Sequence, residues 1–381
     1  MVLYGQVAAG PPGAGKTTYC TGMQEYLRYL GRNALVINLD PANEVPKTKT
    51  SAEGGTEPVE NENDLPYEVL LDVCECVVNL SSVMKQLGLG PNGGLVYCME
   101  YLEAHVDKIV AMIEERIRNE DEDVYLIFDL PGQVELYTHG NAVPRLLSKL
   151  VKILDLRLVA VQLIDSHYCT EPSNFLSAAL LGTTVMLKLE LPTVNVLSKV
   201  DLLASYGPLP FSLEFFTDCQ DLNRLVPFLH QGHDDTTTNN DDAKYSSVSS
   251  TELYDEDSYA DDPEYQLARK VKLSSPFFRR HERLHKAMAE VVDEFGLIAF
   301  LPLDISNAES VGRILSRIDK CNGYIFKQHS AHSTHENINA SNVFQAAANQ
   351  ADPSNREIIA DVQERVSLER DEKHYEKKEV G

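Results

Sequence analysis

Gly10-Pro-Pro-Gly-Ala-Gly15-Lys16-Thr17 constrains this chain more than any other stretch, because it dictates what must stand on either side of it. A run of small and β-branched residues from Val2 to Ala9 leads into it, and a helix-compatible stretch from Thr18 to Leu30 follows. G-x-x-x-x-G-K-T carries physical meaning in that order of strand, loop and helix. Glycines let the backbone curl until the N–H groups along Gly13, Ala14, Gly15, Lys16, Thr17 and Thr18 converge. The helix start adds partial positive charge, so the loop can cradle a β-phosphate. Lys16 is expected to reach the β- and γ-oxygens, and Thr17 to ligate Mg²⁺ through its hydroxyl. The competing reading is a glycine-rich turn with no chemistry.

The remaining pattern fits one large core. Val2 to Ala9, Ala34 to Leu39, Val124 to Phe128, Leu156 to Ile164, Thr193 to Leu197 and Leu297 to Leu303 read as strands, several apolar on both faces. Such runs between amphipathic helices predict an α/β chain with a doubly wound, mostly parallel sheet. Leu102, Val106, Ile109, Val110, Ile113 and Ile117 form one helical stripe, and Leu284, Met288, Val291, Val292 and Phe295 another, each expected to lie on the sheet. The core is expected over residues 1–325, with polar insertions at 46–64 and 231–265. A polar, largely disordered tail is expected over 326–381, its 355–378 part able to form a charged helix. No apolar run approaches the roughly 20 residues of a membrane span, so no membrane partner is expected. The seven cysteines are odd in number and scattered, which suits a reducing cytoplasm better than a disulfide framework. With 58 acidic against 34 basic side chains, the −24 net charge would repel a nucleic-acid backbone, so no direct nucleic-acid contact is expected. The acidic stretch after His230 reads as a solvated loop, or else as a dock for a basic partner.

Two later motifs narrow the chemistry. Asp129-Leu-Pro-Gly132-Gln133 follows a buried strand and matches D-x-x-G, in which the carboxylate holds Mg²⁺ and the glycine N–H meets a γ-phosphate. Gln133 then lies where an attacking water could be oriented; Glu135 either assists it or faces solvent. Ser198-Lys199-Val200-Asp201 follows the strand at 193–197. A carboxylate at Asp201 can accept from N1–H and the 2-amino group of guanine while the Lys199 stem packs on the ring, and adenine offers neither donor. The expected ligands are therefore GTP and Mg²⁺. Ser198 stands where Asn or Thr is usual in that motif. Asp40, after the strand at 34–39, is placed to order or deprotonate water, or merely caps a turn before Pro41.

In combination the segments GPPGAGKT, NLDPAN, LGPNGGLVYCMEYLE, DLPGQVELYTH, the Ile164–Pro172 stretch and LSKVD resemble the GPN-loop GTPases across residues 1–325, on a P-loop NTPase fold. The wording around GPNGG and DSHYC is most similar to the second of three eukaryotic paralogues. The resemblance implies a homodimer, or a heterodimer with a paralogous GPN-loop GTPase, in which Gly90, Pro91 and Asn92 of one subunit reach the γ-phosphate region of the other. Asn92 would there stabilise transferring charge. Read on its own, Leu89 to Gly94 is a rigid turn after a helix. The resemblance also implies assembly and nuclear import of RNA polymerases II and III, polymerase subunits or assembly chaperones as partners, and a cytoplasmic protein that shuttles to the nucleus. A GTP-holding scaffold with negligible turnover and a small-molecule kinase remain alternatives. Cys74 and Cys76 lack a second pair and do not suggest zinc. His167 and Cys169 are expected to play a structural role or else to line the nucleotide pocket, and the Leu301–Asp304 segment to form a base-contacting loop by its position after the last strand.

Overall fold

A computed structural model describes residues 2–42, 65–120, 123–206, 209–229 and 276–325. The insertions expected at 46–64 and 231–265 and the tail expected from 326 lie outside these residues. Seven parallel strands alternate with helices: β1 (Leu3–Ala9), β2 (Asn33–Asn38), β3 (Val69–Asp72), β4 (Val124–Asp129), β5 (Leu156–Asp165), β6 (Thr193–Ser198) and β7 (Phe300–Pro302). The helices are α1 (Lys16–Tyr29), α2 (Val73–Cys76), α3 (Leu80–Leu87), α4 (Pro91–Ala104), α5 (Val106–Arg118), α6 (Glu135–Thr138), α7 (Ala142–Ile153), α8 (Pro172–Leu189), α9 (Leu203–Tyr206), α10 (Leu213–Asp218), α11 (Pro276–Phe295) and α12 (Ala308–Asn322). This is the α/β arrangement the sequence predicts. Among the described residues no helix is long and apolar enough to cross a membrane.

The chain forms two compact units. The first takes the described residues up to 163, 185–194 and 305–325. Its strands run in the order β3-β2-β4-β1-β5. Every residue of β4 is buried, as a parallel strand covered on both faces requires. The registers Ala8↔Asp129 and Asn38↔Asp129 bring the ends of β1, β2 and β4 level, so the loops leaving them emerge together at the carboxyl edge, where such sheets bind ligands. Helix α12 is fastened by a bidentate pair, Arg32 to Asp319 at 3.0 and 2.6 Å, with the guanidinium 4.1 Å over the Tyr324 ring.

The second unit takes residues 164–184, 195–206, 209–229 and 276–304. Here β6 pairs with β7, Asn195↔Phe300 to Leu197↔Pro302, beside a cluster in which Phe175 meets Phe216 at 4.8 Å and Phe300 at 5.9 Å.

Four local expectations change. The strand expected over 297–303 shrinks to three residues, with Leu297 exposed. Leu284, Met288 and Val291 of α11 are exposed; the helix packs through Ala289 and Val292 instead, against the 3-10 segment Leu222–Phe228. That neighbour is narrower than a sheet and covers only part of the stripe. The helical stripe from Leu102 to Ile117 keeps its burial but breaks at His105, whose backbone (φ −110°, ψ 25°) ends α4 and whose ring stacks on Tyr101 at 4.1 Å. Strand β3 was not anticipated, its four residues being too short for periodicity to register.

Candidate functional site

The first unit builds, from backbone, a loop of the kind that can cradle a phosphate. After β1 the chain turns at Gly10 with φ +146°, where a Cβ would lie 2.3 Å from the Leu163 carbonyl oxygen, so only glycine fits. Gly13 and Gly15 also take positive φ (80° and 85°), and Gly15 starts α1 in the left-handed conformation. The Tyr137 hydroxyl accepts from Gly10 N and donates to Gly10 O, both at 2.9 Å, and so pins the base of the loop from α6.

Inside the loop Lys16 is 8% exposed, donates to the carbonyls of Gly10 (3.0 Å) and Pro11 (3.1 Å), and forms no ion pair among the described residues. Burial pulls its pKa down, while Asp129 and then Asp40 act to raise it. A buried ammonium held only by carbonyls is poised for an anion. A Cβ on Gly132 would sit 3.4 Å from Lys16 Nζ, so the D-x-x-G glycine lies beside that ammonium.

Asp129 is 2% exposed at the end of β4. Its Oδ2 accepts from Thr17 Oγ1 and from Tyr67 OH, each at 3.0 Å, and its Oδ1 is buried without a hydrogen-bond partner among the described residues. Burial pushes its pKa up to about 6 against those two hydrogen bonds. A hydroxyl and an orphaned carboxylate oxygen side by side are hard oxygen donors that fit Mg²⁺. Asp40 is half-buried; its Oδ1 accepts from Ala42 N at 2.9 Å, so it does cap the turn, and burial raises its pKa while Ala42 and Lys16 act to lower it. Gln133 follows Gly132 with its Oε1 buried and unpartnered, whereas Glu135 is exposed at the start of α6. Thr18 is exposed on the first turn of α1.

The second unit holds the other candidate residues. Ser198 is buried and donates to the Ile164 carbonyl at 3.1 Å. Lys199 has a left-handed backbone (φ 59°) and its Nζ meets Asp165 Oδ2 at 2.7 Å, a bond that pushes the lysine pKa up. Asp201 is exposed on the 3-10 segment Val200–Leu202. Leu303 N donates to Leu197 O and Val200 N to Leu303 O, which seats the segment after β7 alongside this motif. His167 is exposed and lies edge-on to Tyr206 at 4.9 Å; Cys169 is fully buried and takes a core position.

A family model described as "Conserved hypothetical ATP binding protein" matches residues 8–52 and 61–324. The chain is 40% identical to GPN-loop GTPase QQT1 of Arabidopsis thaliana over 85% of its own length and 87% of that protein. It is 40% identical to GPN-loop GTPase 2 of Danio rerio, over 85% and 82%, and 34% identical to that of Saccharomyces cerevisiae, over 85% and 75%. It belongs to the GPN-loop GTPase family. The crystal structure of a GTPase in apo form from Pyrococcus abyssi shares the fold, with a TM-score of 0.50 at 18% identity, covering 84% of this chain and 97% of that one.

In this GPN-loop GTPase the tripeptide itself opens a helix. Gly90 is the N-cap of α4 (φ −74°, ψ 168°), Pro91 is its first residue, and Asn92 lies exposed on the first turn, so the turn reading of 89–94 is corrected. Proline suits that position because its missing N–H would be unpaired there anyway. Cys74 and Cys76 face different partners: Asn79 donates to the Cys74 sulfur at 3.2 Å, Arg116 to the Cys76 sulfur at 3.5 Å. Sequence reasoning missed Tyr67, Tyr137 and Asp165 as functional residues. Tyr137 sits four residues past Gln133 within the quoted DLPGQVELYTH, a nearby signal; Tyr67 has none.

Proposed function

We propose that this GPN-loop GTPase binds GTP with Mg²⁺ and hydrolyses its γ-phosphate within a dimer. The buried Lys16 ammonium carries this reading: it is enclosed by a glycine-shaped loop beside Gly132, and among the described residues its hydrogen bonds go to two carbonyls while the Asp129 charge acts on it from nearby. The loop N–H groups and Lys16 would take the β- and γ-phosphates, and Thr17 with Asp129 would hold the metal. Mg²⁺ supplies charge neutralisation on the phosphate oxygens when bound. Gln133, with its free carbonyl oxygen, orients the attacking water, and Asp40 supports it from the end of β2. Lys199 and Asp201 read the base as guanine, which takes the GTPase names of the relatives over the wording of the family model.

Asn92 of one subunit would complete the site of the other, and the tripeptide's exposure at a helix tip suits that use. Single-turnover phosphate release separates the enzyme from a scaffold that only holds GTP. Gln133→Leu and Asn92→Ala should each slow release by about 10²-fold; unchanged rates in both would favour the scaffold. Asp201→Asn should exchange GTP for XTP, and preference of the wild type for ATP would overturn the base reading. We also propose, from the family resemblance and the acidic net charge, a cytoplasmic protein that enters the nucleus and helps assemble and import RNA polymerases II and III. Its depletion should leave the large polymerase II subunit in the cytoplasm; normal nuclear accumulation would exclude that role.

A further inference from the structure

We infer that Asp165 is a positioning residue for guanine recognition, holding Lys199 so that its aliphatic stem stands ready as one wall of the base site. The inference rests on the guanine reading proposed above and adds what makes that reading work in this chain. Ser198 occupies the place where an amide would contribute, and its hydroxyl is committed to the Ile164 carbonyl at 3.1 Å. Recognition is left to Asp201 and to Lys199, a long flexible side chain that gains little from a ring contact unless it is already ordered.

The order comes from the short run after β5. The carboxylate of Asp165 is shared between two duties: Oδ2 takes the Lys199 ammonium at 2.7 Å and Oδ1 accepts from His167 N at 2.9 Å. Ser166 Oγ donates to the Lys199 carbonyl at 2.9 Å and so supports the left-handed backbone from which that side chain departs. The lysine and aspartate side chains keep 33% and 19% of their exposure, so solvent weakens the attraction between them, while two fixed ends still define one path for the stem. Lys199 is thus tethered at its carbonyl by Ser166 and at its ammonium by Asp165, with the four methylenes between them free to meet a ring face. The Tyr206 ring lies edge-on to His167, whose N–H Asp165 holds.

A double-mutant cycle on the full-length protein tests this, with fluorescently labelled GTP as the probe. Asp165→Asn and Lys199→Met should each weaken binding about tenfold, and the double variant should bind no more weakly than Lys199→Met alone, because both changes act through one side chain. In steady-state hydrolysis the Asp165→Asn change should fall on KM and not on kcat. Asp165→Glu keeps the charge and should recover part of the affinity; it also supplies the comparison should the asparagine variant not fold. Binding within about twofold of wild type for Asp165→Asn, or a double variant whose loss is the product of the two single losses, would overturn the assignment. Asp201→Asn assayed with labelled XTP separates the two readings. If the base preference switches there while Asp165→Asn is silent, guanine recognition stands and the role of Asp165 falls. If wild type retains no GTP at all, both fall together.

Discussion

The proposed phosphate region and the proposed base region hold their side chains and backbone in place by opposite means. Around Gly10 to Thr17 the geometry belongs to the backbone: three glycines at positive φ shape the loop, and its binding groups are amides that every residue carries. Around Ser198 to Asp201 the geometry belongs to side chains, with Ser166 and Asp165 holding Lys199 from outside the motif. A backbone device fails when a Cβ is added and tolerates most other changes. A side-chain device fails by degrees, one bond at a time.

The comparison would break first at Gly10. Gly10→Ala would drive a methyl to 2.3 Å from a carbonyl oxygen and should cost roughly 3–5 kcal/mol in urea unfolding, with GTP retention lost; a stable, GTP-binding variant would show that the loop is not shaped by its backbone. Asp129 gives the next largest effect. Its pKa of about 6 lies above the 3.8 of an ordinary aspartate, so the folded state keeps a proton that the unfolded chain has released. Stability of the metal-free protein should therefore fall as pH rises from roughly 4 to 6, by at most about 3 kcal/mol, and stay level above that. Comparing wild type with Asp129→Asn at pH 4.5 and 7 isolates the contribution, which the asparagine variant should lack.

Tyr137→Phe removes the hydroxyl that pins Gly10 and withdraws the partner of its buried N–H, for about 2 kcal/mol; a loss no greater than that of an exposed tyrosine would mean that the loop holds itself. On the base side Ser198→Ala should cost only about 1 kcal/mol, the worth of one hydrogen bond, with guanine preference kept. Loss of that preference would give Ser198 a direct role at the base and weaken the contrast between the regions.

What could be read beforehand follows the same division. The loop after β1, the Asp129–Gln133 motif and the Lys199–Asp201 motif are local strings whose chemistry depends on spacing of a few residues, and the structure puts each at a strand end. Tyr137 bonds a residue 127 positions away, Tyr67 one 62 away and Lys199 one 34 away, and no local pattern encodes such pairings. Periodicity found α11 but not its neighbour. It expected a sheet beneath Leu284, Met288 and Val291, which among the described residues are left exposed, while the 3-10 segment packs on the helix elsewhere. The break at His105 escaped because Leu102 and Val106 stay four apart on one buried face whether or not the helix between them is continuous.

The placement of Asn92 on a helix has a mechanical consequence. Gly94, two residues further on, lets α3 approach so closely that a Cβ there would meet Leu80 Cδ1 at 2.7 Å, and α4 also packs on α7. The asparagine therefore stands on the first turn of a helix packed against α3 and α7, and its backbone is already ordered. A surface that met this tip would have to fit a backbone already fixed in place, because the packed helix behind it leaves little room to adjust.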